Sequence, residues 1–111
     1  MSTNPSAATD AQLEKVFEER TRQICLKLAG KFKYGCEDDE LDDFKCYSIL
    51  GEEFGEVGHE VNESINRPVD LQKLHDELIQ VAAVAVAWSE RVKRQIDVAT
   101  MLEMGDFGES P

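Results

Sequence analysis

An eleven-residue run from Leu78 to Trp88 constrains the fold of this chain more than any other feature. The run is apolar except for Gln80 and is typical of a helix. A helix that lacks a polar face is buried on every side. Three or four helices in 111 residues can hardly enclose such a helix unaided. The sequence therefore predicts an all-α helical bundle of three to four helices per chain, which oligomerisation completes as a homodimer or homotetramer.

Two further helices are predicted before this run. The first starts at Thr9, which with Gln12 fits a capping box, and stops at Gly30. Its apolar residues recur at helical spacing: Leu13, Val16, Phe17, Ile24 and Leu28. The second helix spans roughly residues 41–65 and carries a similar apolar stripe: Tyr47, Leu50, Phe54, Val57 and Val61.

The third helix, which contains the apolar run, is predicted to open at Pro68 or Asp70. A separate short helix is predicted over residues 96–104. Residues 1–9 are small and polar and are predicted to be a disordered tail, residues 10–104 form the helical domain, and residues 105–111 form a flexible tail. No strand signal and no internal repeat are visible.

Three glycines lie on one face of the second helix: Gly51, Gly55 and Gly58. Each glycine inside a helix costs roughly 0.5–1 kcal/mol relative to alanine. We expect another backbone to approach closely there, and the alternative is a helix that is softened or bent near its middle.

The net charge of −11 argues against nucleic acid or an anionic membrane surface as a partner. Between Glu37 and Glu63 there are eleven acidic residues and one lysine, a balance of −10. The N-terminus has neither a basic patch nor an apolar stretch, and no apolar run approaches the ~20 residues that span a bilayer. Three cysteines without CxxC spacing indicate reduced thiols. A cytoplasmic protein is expected.

Two acidic pairs at a spacing of three residues point to a metal site. Glu53 with Glu56 forms one pair on the second helix, and Glu77 with Gln80 forms a half-acidic pair on the third. Residues three apart share a helix face, so side-by-side packing of the two helices would bring three carboxylates and an amide oxygen together. Such a cluster repels itself unless it holds a cation, and oxygen ligands suit Mg²⁺ or Mn²⁺.

Several of these polar residues also have a purely structural interpretation. Glu60 and Glu63 are expected to belong to a solvated face. Gln80 lies in an apolar run and must be hydrogen-bonded or act as a ligand, and both alternatives stay open. His59 and His75 have no histidine partner four residues away and are expected to be exposed.

Four further residues are candidates for substrate binding. Lys31, Lys33 and Tyr34 lie in a short basic-aromatic connection before the acidic stretch and are candidates to contact phosphates or a base. Trp88 is a candidate to stack on a base, although a core tryptophan is the alternative.

The pattern of acidic residues on two successive helices resembles that of the MazG-like all-α nucleoside triphosphate pyrophosphohydrolases. Their signature, EExxE followed by ExxD on the next helix, appears here as EEFGE at residues 52–56 and ELIQ at residues 77–80. The apolar continuation over residues 81–88 and the KYG at residues 33–35 are also similar to small members of this family. The similarity covers roughly residues 31–92.

The resemblance implies an oligomeric helical bundle that hydrolyses a nucleoside triphosphate to the monophosphate and pyrophosphate. It implies Glu53, Glu56 and Glu77 as Mg²⁺ ligands and Glu52 as a further ligand or a base. Gln80 stands where the family has Asp, so it supplies an oxygen but no charge. The expected function is a Mg²⁺-dependent pyrophosphohydrolase acting on NTPs or dNTPs, and the alternative is a non-catalytic helical protein that binds a nucleotide or a protein partner.

Overall fold

The computed structural model describes residues 5–105, and over this range the chain is all-helical without strands. Helix α1 spans Pro5–Leu28, α2 spans Asp43–Glu63 and α3 spans Leu71–Glu103. The predicted all-α fold class is confirmed. None of these three helices is long and apolar enough to pass through a membrane.

Helix α3 is the centre of the architecture, and α1 and α2 each pack against it rather than against each other. With 33 residues, α3 is about 50 Å long. The molecule measures 69 × 36 × 27 Å and has a radius of gyration of 18.4 Å. A compact chain of this length would have a radius of about 13 Å. The single chain is therefore elongated, with much helix surface uncovered.

The helix boundaries follow from their capping residues. Gly30 adopts a left-handed conformation with φ of 80°, and it ends α1 as the sequence predicts. The Asp42 carboxylate accepts a hydrogen bond from the Lys45 backbone N–H and starts α2. Asp70 starts α3 in the same way, and it is one of the two residues predicted to open this helix.

Two predicted boundaries differ from the structure. Helix α1 begins at Pro5, where proline is tolerated in the first turn, so residues 5–9 of the predicted tail are helical. The Thr9 hydroxyl donates to the Pro5 carbonyl one turn back and does not cap the helix. The separate helix predicted over residues 96–104 is wrong, because α3 contains no glycine or proline and continues unbroken to Glu103. Residues 1–4 and 106–111, which include most of the predicted C-terminal tail, lie outside the described range.

The core is small and lies where α2 and the preceding loop meet α3. Its buried members are Cys36, Cys46, Val84 and Ala87, with Leu41, Ile49, Leu50 and Trp88 packed around them. Most of the apolar stripe residues predicted for α1 and α2 are exposed instead, because each helix turns another face to α3. The exposed ones are Leu13, Phe17, Ile24, Leu28, Tyr47, Phe54 and Val61.

The apolar run of α3 is only partly covered. Leu78 is 50% exposed and Val86 is 40% exposed, because α1 and α2 leave one side of the helix open. The sequence predicts that one chain can hardly enclose this run unaided, and the run is indeed only partly covered in the single chain. Likewise, a Cβ placed on Gly51, Gly55 or Gly58 would meet nothing within 4 Å, so the predicted close approach of a backbone does not occur within one chain.

Candidate functional site

Three carboxylates from two helices converge at the α2–α3 contact. Glu53 and Glu56 come from α2 and Glu77 comes from α3, and each offers an oxygen that lies within 4.8 Å of the others. Glu53 and Glu77 are half-buried, whereas Glu56 is exposed. The convergence that the sequence predicts for these three residues is present.

The helix packing explains this convergence. Helix α2 faces α3 through residues at helical spacing, from the buried Cys46 through Ile49 and Glu53 to the buried Glu60. Glu53 therefore lies on the packing face itself, and Glu56 follows one turn later at its edge. Glu77 lies on the opposing stretch of α3, nearly two turns before the buried Ala83–Val84 pair.

The carboxylates interact strongly with one another. A hydrogen bond shared with Glu56, together with burial and the negative charges of Glu56 and Glu53, raises the pKa of Glu77 to about 7. Burial and the charges of Glu56, Glu19 and Glu52 also raise the pKa of Glu53. At neutral pH the cluster therefore binds a proton or a cation more favourably than ordinary surface glutamates do.

The donor set fits a small divalent cation. Glu77 Oε2 is buried and has no hydrogen-bond donor around it, so one oxygen of the cluster is free to act as a ligand. Metal–oxygen distances of about 2.1 Å place two ligand oxygens of an octahedral Mg²⁺ roughly 3–4 Å apart. The carboxylate oxygens, within 4.8 Å of one another, would need only small side-chain movements to reach that spacing.

Gln80, the fourth predicted ligand, lies beside Glu19 of α1. Burial raises the pKa of the Glu19 carboxyl, but hydrogen bonds from Arg22, Gln80 and Gln23 outweigh it and lower the pKa below its ordinary value. Arg22 donates to both oxygens of Glu19, at 2.8 and 2.7 Å. The Gln80 amide is thus involved in a hydrogen-bonded group with α1, next to the carboxylate cluster.

Glu52 is exposed and lies outside the group of three carboxylates. It lines an open cleft of about 580 Å³ together with Glu56, Glu77, His59 and Lys73. We call this the acidic cleft. Its one lysine lies near Glu77, where the positive charge of Lys73 opposes the rise in the pKa of that carboxyl.

Glu60 departs from its expected place on a solvated face, because its side chain is fully buried. Arg67 lies 3.3 Å from Glu60 Oε1 and Lys73 lies 3.3 Å from Oε2. Burial raises the pKa of Glu60, but these two cations outweigh that effect and lower it. The solvated face expected for Glu60 is therefore wrong. Its role is still structural, because its two counter-charges come from the α2–α3 turn and from α3. Glu63 is half-buried and lies 3.8 Å from Arg67.

A second cavity, the inner cavity, has Glu53 in its wall. It has a volume of about 330 Å³, and its walls come from α1, the α1–α2 loop, α2 and α3. Its lining residues include Arg20, Arg22, Phe32, Tyr34, Ile49, Glu53, Val84 and Ala87. Glu53 is thus shared between the carboxylate cluster and the inner cavity.

Of the four residues predicted to bind substrate, only Tyr34 lines the inner cavity. Lys33 Nζ lies 5.4 Å from the centre of the Tyr34 ring. Lys31 and Lys33 are exposed on the same loop. Trp88 packs against the core, and its indole N–H donates to Asp43 at 2.9 Å. The indole is therefore part of the α2–α3 contact.

The histidines and cysteines do not join the carboxylate cluster. His59 is exposed, as expected, whereas His75 is partly covered and its Nε2 lies 2.7 Å from the Gln12 side-chain oxygen. All three cysteines are free thiols, and two of them, Cys36 and Cys46, are buried in the core.

Sequence reasoning missed the contribution of α1 to this region. Glu19 and Arg20 are buried against α3, and Arg22 pairs with Glu19 beside the cluster. The available signal was the spacing of Val16, Glu19, Arg20 and Gln23, which places them on one helix face. Apolar spacing alone predicts that the more apolar face of α1 packs against α3, whereas the structure turns the mixed face towards α3.

No protein-family model matches this chain, and neither a curated protein nor a solved structure is significantly similar to it.

Proposed function

We propose that the chain is a MazG-like, Mg²⁺-dependent nucleoside triphosphate pyrophosphohydrolase. The observation that carries the proposal is the meeting of Glu53, Glu56 and Glu77 within 4.8 Å, with one glutamate oxygen buried and unpaired. The motif that led to these residues comes from the sequence resemblance, and their convergence supports it. The substrate would be an NTP or a dNTP, and the products a nucleoside monophosphate and pyrophosphate.

In this proposal the three carboxylates hold the metal ion. A bound Mg²⁺ would neutralise part of the triphosphate charge and would lower the pKa of a coordinated water. Manganese would serve the same ligands. Gln80 is a weaker candidate ligand than the three glutamates, because its amide already interacts with Glu19.

Glu52 and Glu53 are the candidates to handle protons. As the water oxygen bonds to the α-phosphorus, the bond between that phosphorus and the bridging oxygen breaks and pyrophosphate leaves. The proton of the water goes to a carboxylate that is not fully occupied by metal. Glu52 suits this role because it lies at the rim of the acidic cleft, outside the group of three. Lys73, which lines the same cleft and pairs with Glu60, is a candidate to contact the departing phosphates.

The direct test is pyrophosphate release from a panel of ribo- and deoxyribonucleoside triphosphates with and without Mg²⁺. Glu53→Gln and Glu77→Gln should abolish release while circular dichroism and oligomer mass stay unchanged. Glu14→Gln, on the exposed side of α1, is the matched control and should retain wild-type rates. Wild-type rates in either site variant would refute the assignment.

A non-catalytic helical protein that binds a nucleotide or a protein partner is the second candidate. The observation in its favour is Gln80, which interacts with Glu19 and adds no charge to the metal site. Nucleotide binding without pyrophosphate release in the same panel would favour this candidate.

We also propose that the active form is a homodimer or homotetramer. Support comes from the elongated shape of the chain and from large exposed apolar side chains on α2 and α3. Phe54 is 67% exposed and Tyr47 is 70% exposed. They border a groove of about 440 Å³ with Gly51 and the α3 residues Val81 and Ala85. Exposed apolar surface of this kind marks an association site.

A further inference from the structure

We propose that the inner cavity binds the base and sugar of the nucleotide, so that the phosphates leave it past Glu53 towards the carboxylate cluster. This inference rests on the proposed function and adds an orientation of the substrate and the residues that recognise its nucleoside part.

The position of the inner cavity supports this orientation. Glu53 is one of its lining residues and also one of the three converging carboxylates, so the cavity and the cluster adjoin. A volume of about 330 Å³ is at the lower end of the range for small-molecule sites, which is about 300–1,000 Å³. The cavity suits a nucleoside better than a whole triphosphate.

The walls combine aromatic rings with an apolar floor. Phe32 and Tyr34 come from the α1–α2 loop, line the cavity and are 38% and 37% exposed, so both side chains are partly accessible. Ile49, Val84 and Ala87 form the apolar part opposite to the loop. Aromatic side chains of this kind stack on nucleobases.

The two arginines of the cavity are already paired with carboxylates, which favours a neutral group as its occupant. Arg20 interacts with Glu90 at 3.4 Å and with Glu37 at 3.7 Å. Arg22 donates to both carboxylate oxygens of Glu19. A triphosphate placed here would have to break these ion pairs, whereas an uncharged heterocycle would not. The phosphates therefore belong on the cluster side.

The loop that carries the two rings is held in place by ion pairs. Lys27 donates to Glu37 at 2.6 Å and to Asp38 at 2.9 Å, and the Gly35 backbone N–H also donates to Asp38. A Cβ on Gly35 would overlap the Glu37 carboxylate, so a larger residue there would displace this carboxylate from its present position. The aromatic side chains are thus positioned before a ligand binds, which reduces the entropy cost of binding.

The first experiment measures nucleoside binding without metal. Saturation-transfer difference NMR would be recorded with the four uncharged deoxynucleosides in the presence of a chelator. Wild type should transfer saturation to base protons of at least one nucleoside. Phe32→Ala and Tyr34→Ala should lose most of that signal, and Tyr34→Phe should keep it because the ring remains. Phe44→Ala is the matched control, since Phe44 is 86% exposed and lies on α2 outside the cavity.

The second experiment measures kinetics with the best triphosphate and with inorganic triphosphate. Phe32→Ala and Tyr34→Ala should raise KM for the nucleotide about tenfold and leave any hydrolysis of inorganic triphosphate unchanged. Nucleoside binding without hydrolysis of any triphosphate would overturn the proposed function and leave the cavity assignment standing. The absence of saturation transfer to every nucleoside, an equal loss in Phe44→Ala, or an unchanged KM in both cavity variants would overturn the assignment itself.

Discussion

Replacing Glu77 with glutamine should stabilise the metal-free protein at pH 8 while removing its response to Mg²⁺. Two unit charges 4.8 Å apart repel by roughly 1 kcal/mol in bulk water and roughly 3.5 kcal/mol at an effective dielectric constant of 20. Glu77 faces two such charges, Glu53 and Glu56, and all three are partly solvated. Glutamine is of equal size and can still donate a hydrogen bond to Glu56. We therefore expect Glu77→Gln to gain about 1–2 kcal/mol in free energy of unfolding.

The gain should depend on pH in a defined direction. The pKa of Glu77 is about 7 in the folded protein and near 4.5 in the unfolded chain, so the folded state binds the proton more tightly. The stabilisation that this proton gives is complete below about pH 4.5 and is lost as the pH rises through 7. Metal-free wild type should therefore lose stability across this window, and Glu77→Gln should lose less.

Urea unfolding at fixed protein concentration, at pH 5 and pH 8, measures both quantities. Added Mg²⁺ should raise the stability of wild type more at pH 8 than at pH 5, since the cation competes with the proton for the carboxylates. Glu14→Gln serves as the control for removal of an exposed glutamate. A metal-free Glu77→Gln that is less stable than wild type at pH 8, or that still responds to Mg²⁺, would refute the reasoning.

Two further substitutions test the surroundings of the cluster. Gln80→Asp should strengthen Mg²⁺ binding measured by calorimetry, and more so when combined with Glu19→Gln, because the new carboxylate would otherwise face Glu19; unchanged affinity in both would exclude position 80 from the site. Phe54→Glu should lower the mass measured by light scattering to that of a monomer, because it places a charge in the exposed apolar groove. A wild type that is already monomeric would contradict the proposed oligomer.

Local signals in the sequence predicted where the helices begin and end better than they predicted how the helices pack. Gly30 and Asp70 act through their own backbone neighbours, so the end of α1 and the start of α3 are readable without the fold. Glu53, Glu56 and Glu77 were predictable because helical spacing puts each on a definite face, and antiparallel neighbours bring such faces together.

The orientation of the outer helices was not predictable from spacing. Helices α1 and α2 each have a more apolar face and a mixed face, and in the single chain the mixed face packs against α3. A buried Glu60 becomes tolerable only because Arg67 and Lys73 lie 3.3 Å from its two oxygens. That compensation depends on distances between elements, which a pattern within one helix does not contain.

Helix α1 also gives a physical reason for the amide at position 80. One turn beyond Glu77, the side chain of α3 lies beside the carboxylate of Glu19, whose pKa is kept low by Arg22 and by the amides around it. Aspartate at position 80 would place a second negative charge next to Glu19, in a region where Glu53 already has a raised pKa. The uncharged glutamine avoids this repulsion and helps to keep the pKa of Glu19 low. The departure from the ExxD pattern is therefore matched by a carboxylate from α1.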